Sequence, residues 1–177
     1  MLFSTRSVAT PLLGKLGDQP ELRTLSVAVV AAGLLTANRR LIRAGVRMLL
    51  AHEIATLAKE LIKERIDRTR PHSAKTHSDR AVKPGRHTAK TKTSFPSGHS
   101  AGAVAVARAF GREYPQFQAP ALAVAAAVAA MQVPRLNHYP TDVVAGVMLG
   151  AASEAAADLI VGDDELDSTP EAPPRPP

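Results

Sequence analysis

The sequence predicts an all-α fold, a compact helical bundle embedded in a membrane with its functional site at the helix ends. Hydrophobic residues make up 45% of the 177 residues, and apolar runs rich in alanine and valine recur along the chain. No stretch shows the alternation of apolar and polar residues that marks a half-buried strand. The chain is long enough for one domain with its own core.

Five segments have a helical pattern: 25–37, 43–63, 94–110, 122–133 and 141–160. The first is an apolar run closed by a basic pair, and the second repeats apolar residues at three- and four-residue steps. The third is predicted to begin with Ser94 as its cap and Pro96 in its first turn. The fourth is almost pure alanine and valine, and the fifth has a small-residue face for close packing.

The second helix also carries a polar stripe formed by His52, Thr56, Lys59 and Lys63, opposite its apolar residues. A solvated surface is the ordinary explanation of such a stripe, and a functional face is the alternative. The sequence does not choose between them.

The segments between and after the helices differ sharply in composition. Residues 69–93 are basic and polar, with prolines and a glycine as breakers, and are predicted to form a long loop. Loops of this length are commonly functional or disordered. The tail 162–177 is acidic and proline-rich and is predicted to be disordered, which leaves one helical domain over 1–161.

Charge and composition limit the classes of partner. The formal net charge of +6 favours an anionic partner, such as a lipid head group or a phosphorylated substrate. Nucleic acid is disfavoured, because aromatic residues are only 3% of the chain and base stacking requires them. The absence of cysteine excludes disulfides and thiolate metal sites.

Two clusters near helix ends have the chemistry of a phosphate site. Lys63 supplies a compact positive charge, and Arg70, which precedes a proline, supplies a planar fork that matches two phosphate oxygens. Ser97 and Gly98 lie where the third helix opens, just before His99. Free backbone N–H groups and the positive end of the helix dipole attract anions there, and Gly98 has no side chain to block their approach.

A third cluster pairs a histidine with a carboxylate. His138 stands just before the fifth helix, and Asp142 follows four residues later. That spacing lets the carboxylate accept a hydrogen bond from one ring nitrogen, which leaves the other nitrogen available as a nucleophile.

The order of the three clusters resembles the signature of the type 2 phosphatidic acid phosphatase superfamily, which includes vanadium haloperoxidases and bacterial acid phosphatases. That signature is Lys-x6-Arg-Pro, then Pro-Ser-Gly-His, then Ser-Arg-x5-His-x3-Asp. The chain matches the first two and the end of the third, between Lys63 and Asp142. One position departs from it, because the family arginine falls at Gln132. Arg135, three residues before His138, is a candidate replacement, and the Gln132 amide is the alternative phosphate ligand.

The resemblance implies a role for each matched residue. His138 would be the nucleophile that forms a phosphohistidine, Asp142 would orient it, and His99 would protonate the leaving oxygen. The phosphoryl oxygens would be held by Lys63, Arg70, Ser97 and the Gly98 amide. The resemblance implies no metal ion and no cofactor.

The implied function is a lipid phosphatase, multi-pass in a bacterial cytoplasmic membrane, whose partners are the bilayer and a phosphorylated lipid. Phosphatidic acid, phosphatidylglycerol phosphate and polyprenyl diphosphate all remain candidate substrates. The alternatives are a vanadate-dependent haloperoxidase-like enzyme and a non-catalytic phospholipid-binding membrane protein. The apolar runs are short against the about 20 residues that an unaided span needs.

Overall fold

The computed structural model describes residues 19–87 and 89–162, and in this part of the chain the all-α prediction is confirmed. The helices are α1 (Gln19–Leu35), α2 (Arg39–Lys63), α3 (Gly98–Glu113), α4 (Gln118–Ala130) and α5 (Pro140–Val161). The tail predicted to be disordered lies outside the described residues from position 163 onward.

Helix α3 is the centre of the bundle, because it packs against α2, α4 and α5, while α1 packs on α2. Its alanines and glycines let the neighbouring helices come close. Glycines of α5 also allow close packing, since a Cβ added to Gly146 would lie 2.4 Å from the Ser97 carbonyl oxygen. A Cβ on Gly150 would lie 2.4 Å from the Ala101 carbonyl oxygen. Any larger residue would force α5 away from α3, so these glycines set the spacing at the predicted small-residue face.

Helix α3 begins later than the sequence pattern predicts. Ser94 was expected to cap it, but the first helical residue is Gly98 and the cap is Ser97, whose side chain accepts a hydrogen bond from the Ser100 N–H. Pro96 therefore precedes the helix. Ser94 is left outside the helix, where it binds the start of α5.

The basic loop, which in the structure spans the whole connection 64–97 between α2 and α3, is folded rather than extended. It contains two-residue strands, β1 (Ile66–Asp67) and β2 (Lys83–Pro84), which pair antiparallel, and short 3-10 turns. Asp67 closes the ribbon, because its carboxylate binds both the backbone N–H and the ring of His87. Two residues are too few to show an alternation of apolar and polar side chains, so these strands could not be predicted from the sequence pattern.

Two residues of the polar stripe on helix α2 are turned inward, beside apolar residues such as Met48 and Ala51. His52 is fully buried and Lys59 is 5% exposed, whereas Leu57 and Leu61 are 64% and 52% exposed. The solvated-surface explanation of the polar stripe is therefore wrong for these two residues. Their burial places charge and polarity inside the bundle and leaves apolar side chains outside.

Exposed apolar side chains also occur on other helices. Leu35, Met148 and Leu159 are more than half exposed. By length and composition, one helix of the described residues, Pro140–Val161, is suited to cross a membrane.

Candidate active site

A cavity of about 1050 Å³ opens at the end of the bundle where α2 finishes and α3 begins. Five of the residues predicted from the motifs line it: Lys63, Arg70, Gly98, His99 and His138. The antiparallel course of the chain brings them together, because the C-terminus of α2 and the N-termini of α3 and α5 lie at the same end. The rest of the wall comes from the first turn of α1, from Lys59 and Glu60 in the last turns of α2, and from the basic loop.

The two histidines face each other across this cavity. The ring centroids of His99 and His138 are 6.5 Å apart, and the rings are inclined at 62°. His99 is in the first turn of α3, and His138 lies two residues before α5. Helix packing therefore fixes the relative position of two groups that can transfer protons or attack phosphorus.

The tautomer of His138 is set by the backbone. Its Nδ1 lies 2.7 Å from the Ser94 carbonyl oxygen, and since a carbonyl can only accept, Nδ1 carries the proton. Nε2 of the neutral ring then holds the free lone pair. Asp142 Oδ2 is 3.8 Å from Nδ1, too far for the direct hydrogen bond expected from the spacing. The carbonyl oxygen of Ser94 accepts that hydrogen bond in place of Asp142.

Asp142 is fully buried, and it is held by partners from three parts of the chain. Its carboxylate accepts hydrogen bonds from the Ser94 hydroxyl, from the Tyr139 N–H at 2.9 Å and from the Arg68 guanidinium. A buried carboxylate needs such compensation to remain charged. Asp142 thus fastens the loop and the segment before α3 to the start of α5.

Arg68 is a site residue that the sequence analysis missed. Besides Asp142, its guanidinium donates to the Thr141 hydroxyl at 2.7 Å and stacks 4.1 Å from the centroid of the Tyr139 ring. Its backbone is paired with Lys92 and Ser94, which places it beside α5. Arg68 is one of many cations in the basic loop, and no spacing rule distinguishes it from the others.

Lys63 and Arg70 are partly buried cations in the wall of the cavity. Burial, together with the nearby charge of Lys59, lowers the pKa of Lys63 to about 8. Burial also lowers the pKa of Arg70, and its buried Nε has no hydrogen-bond partner among the described residues. Cations that have lost water without gaining full compensation form an attractive site for an anion.

The other predicted phosphate ligands are placed differently. Ser97 is fully buried, bonds the Ser100 hydroxyl at 2.9 Å and is outside the cavity lining. Gln132 is also fully buried, and its side-chain amide donates to the Val128 carbonyl oxygen at 3.1 Å. Neither Gln132 nor Arg135 belongs to the described residues that line the cavity.

Residues 19–87 and 89–162 contain no group of three or more histidine, aspartate or glutamate side chains placed to hold a metal ion.

Comparisons with known proteins place the chain in a family. The chain is 33% identical over 143 residues to the decaprenylphosphoryl-5-phosphoribose phosphatase of Mycobacterium tuberculosis, in both strain CDC 1551 / Oshkosh and strain ATCC 25618 / H37Rv. The aligned region covers 78% of this chain and 71% of each relative. No solved structure gave a significant match. The family model of the PAP2 superfamily matches residues 44–163, which include all three motifs, and the chain belongs to that superfamily.

Proposed function

We propose that this protein is a metal-independent phosphatase that hydrolyses a phosphorylated membrane lipid through a phosphohistidine on His138. The observation that carries the proposal is the paired placement of His138 and His99 on a cavity that is also lined by Lys63 and Arg70. The family and the phosphatase relative support the same reaction class.

The proposed reaction has two steps. Nε2 of His138 attacks phosphorus, the bond to the lipid oxygen breaks, and His99 gives its proton to that oxygen. Water then attacks the phosphohistidine, His99 takes a proton from it, and inorganic phosphate leaves. Lys63, Arg70 and the Gly98 amide hold the phosphoryl oxygens, where charge builds up in both transition states. Asp142 stabilises the positive charge that His138 acquires.

The substrate is proposed to place more than its phosphoryl group in the cavity. A cavity of about 1050 Å³ is larger than a phosphoryl group requires and lies at the upper end of the usual range for ligand pockets. The relatives act, by their names, on a decaprenyl-linked phosphoribose. A phosphorylated sugar on a polyprenyl carrier therefore joins phosphatidic acid, phosphatidylglycerol phosphate and polyprenyl diphosphate as a substrate to assay.

The membrane location is proposed on the distribution of apolar surface. Helix α5 is long and apolar enough to cross a bilayer. Leu57 and Leu61 of α2 point outward, while His52 and Lys59 are buried inside. Leucines on the outside and polar side chains on the inside suit a bundle surrounded by lipid, with the cavity and Lys63 at the membrane surface. We propose a multi-pass arrangement in a bacterial cytoplasmic membrane.

The two histidines are expected to differ in their response to the leaving group. His138→Ala should abolish release of phosphate from both a lipid phosphate and p-nitrophenyl phosphate, because no nucleophile remains. His99→Ala should be severely impaired on the lipid and partly active on the aryl ester, whose leaving group is stable without a proton. Steady-state phosphate release by the purified protein in detergent measures both.

His77→Ala is the matched control, since His77 is an exposed loop histidine outside the cavity lining, and it should behave as wild type. Equal loss on both substrates in His99→Ala would contradict its role as the acid. Wild-type release by both His99→Ala and His138→Ala would show that neither histidine takes part in the reaction, and no release by the wild-type protein would leave the non-catalytic lipid-binding alternative.

The activity is expected to fall as pH rises through about 8. Lys63 is charged below its pKa of about 8, so the cation that binds phosphate is present at lower pH and lost above it. The pH profile of kcat/KM reports the free enzyme and should show this alkaline limb. Lys63→Arg should move the limb upward, because a guanidinium stays charged at these pH values. An alkaline limb at the same pH in Lys63→Arg would assign it to another group.

Arg68→Ala is expected to lower kcat/KM by about tenfold to a hundredfold, as loss of a group that orients a site residue does. The substitution leaves the buried carboxylate of Asp142 without its cation, so the unfolding temperature should fall as well. Arg80→Ala is the control, because Arg80 is exposed in the same loop and outside the cavity lining. Equal activities of the two variants would show that the contact between Arg68 and Asp142 has no role in turnover.

A further inference from the structure

Helix α2 carries a second lysine on the face that lines the cavity. Lys59 lies one helical turn before Lys63, and residues spaced by four share a face of a helix. It lines the same cavity as Lys63, His99 and His138, yet only 5% of its surface is exposed. Lysine is almost never buried to this degree unless it is paired. The buried ammonium group of Lys59 therefore requires a compensating negative charge.

The side chain of Lys59 runs over the first residue of α3. A Cβ built on Gly98 would lie 2.8 Å from Cδ of Lys59 and 3.6 Å from its Nζ. The ammonium group is thus held beside the N-terminus of α3, where free N–H groups and the helix dipole already give positive potential. This position is unfavourable for a cation alone, and it becomes favourable when an anion binds between the ammonium group and the N-terminus of α3.

The partner of Lys59 does not fully compensate its charge. Nζ lies 2.8 Å from Oε1 of Glu60, whose side chain is 55% exposed. Because the Glu60 carboxylate is in contact with water, solvent screens its attraction for the buried ammonium group. Lys63 is close enough for the charge of Lys59 to lower its pKa. Two neighbouring lysines at a helix N-terminus form a site for a group with two negative charges.

The arginine of the family signature would add a cation at position 132, but this chain has Gln132 there. Its side-chain amide is bound to the Val128 carbonyl oxygen, and it lies outside the cavity lining, as does Arg135. The cavity therefore receives no cation from that position, and three further cations in its lining, Arg65, Arg86 and Lys90, are exposed to solvent. Lys59 already lines the cavity, beside the Gly98 amide.

We propose that Lys59 is a phosphate-binding residue that supplies this missing cation, holding the phosphoryl dianion together with Lys63, Arg70 and the Gly98 amide. The proposal deepens the function proposed above and rests on the cavity being the phosphate site. The ammonium group exchanges Glu60 for a phosphoryl oxygen when the dianion enters.

Binding of inorganic phosphate to the full-length protein in detergent tests the role of Lys59 directly. Lys59→Met keeps the apolar stem over Gly98 and removes the charge, so the Kd from titration calorimetry should rise about tenfold or more, the size of a charged hydrogen bond. Lys59→Arg should restore binding to within a few-fold of wild type. Lys83→Met is the matched control, because Lys83 is an exposed lysine outside the cavity lining, and its Kd should not change.

The pH dependence of phosphate binding gives a readout that a merely structural role would not move. Without the neighbouring charge, Lys63 should keep its proton to higher pH, so the alkaline limb of binding should shift upward in Lys59→Met. Lys59→Gln, a second neutral variant, serves in the same way if the methionine variant does not fold.

The outcomes separate this proposal from the proposed reaction. Wild-type Kd values in folded Lys59→Met or Lys59→Gln would overturn the role of Lys59, even if the wild-type protein hydrolyses lipid phosphates. No phosphate binding by the wild-type protein would also overturn it. Loss of phosphate binding in Lys59→Met, with no lipid phosphate hydrolysed by the wild type, would support Lys59 and reject the phosphatase reaction.

Discussion

The buried carboxylate of Asp142 is the contact on which the geometry of the site depends. It joins the Ser94 hydroxyl, the Arg68 guanidinium and the Tyr139 N–H, which belong to segments far apart in the chain. The same Ser94 presents its carbonyl oxygen to Nδ1 of His138. Because a buried carboxylate is costly without partners, the fold must bring all of these segments together at once. The loop is thereby ordered around the cavity, and His138 is held in one tautomer.

Positive charge near the cavity is the second constraint. Lys63, with a pKa lowered to about 8, has been partly removed from water beside Lys59, and Nε of Arg70 is buried. The protein therefore holds cations in a state that a bound dianion would stabilise. A transition state with more charge on the phosphoryl oxygens would be stabilised further, which is how a preorganised site lowers a barrier.

The sequence predicted the helices and most of the cavity, because periodicity marks helices and the motif spacing places Lys63, Arg70, His99 and His138 at helix ends. It could not predict Arg68 or the packing of Lys59 on Gly98, since both depend on contacts between distant segments. The inward polar face of α2 was also hidden, because periodicity identifies two faces without showing which one is buried. The predicted start of α3 was wrong for a similar reason, because both Ser94 and Ser97 are suitable caps by sequence. The hydrogen bond from Ser94 to Asp142, a tertiary contact, keeps Ser94 outside the helix.

The central claim is that His138 carries the phosphoryl group during turnover, and its most direct test is to trap and locate that group. The protein is mixed with a lipid phosphate labelled on the transferred phosphorus, quenched under alkaline conditions that preserve phosphohistidine, and analysed by peptide mass spectrometry. We predict an acid-labile phosphate on His138 that is absent from His138→Ala and that reaches a higher level in His99→Ala when labelled p-nitrophenyl phosphate, whose leaving group needs no proton, replaces the lipid. Label on His99 or on another residue, or turnover by His138→Ala, would contradict it.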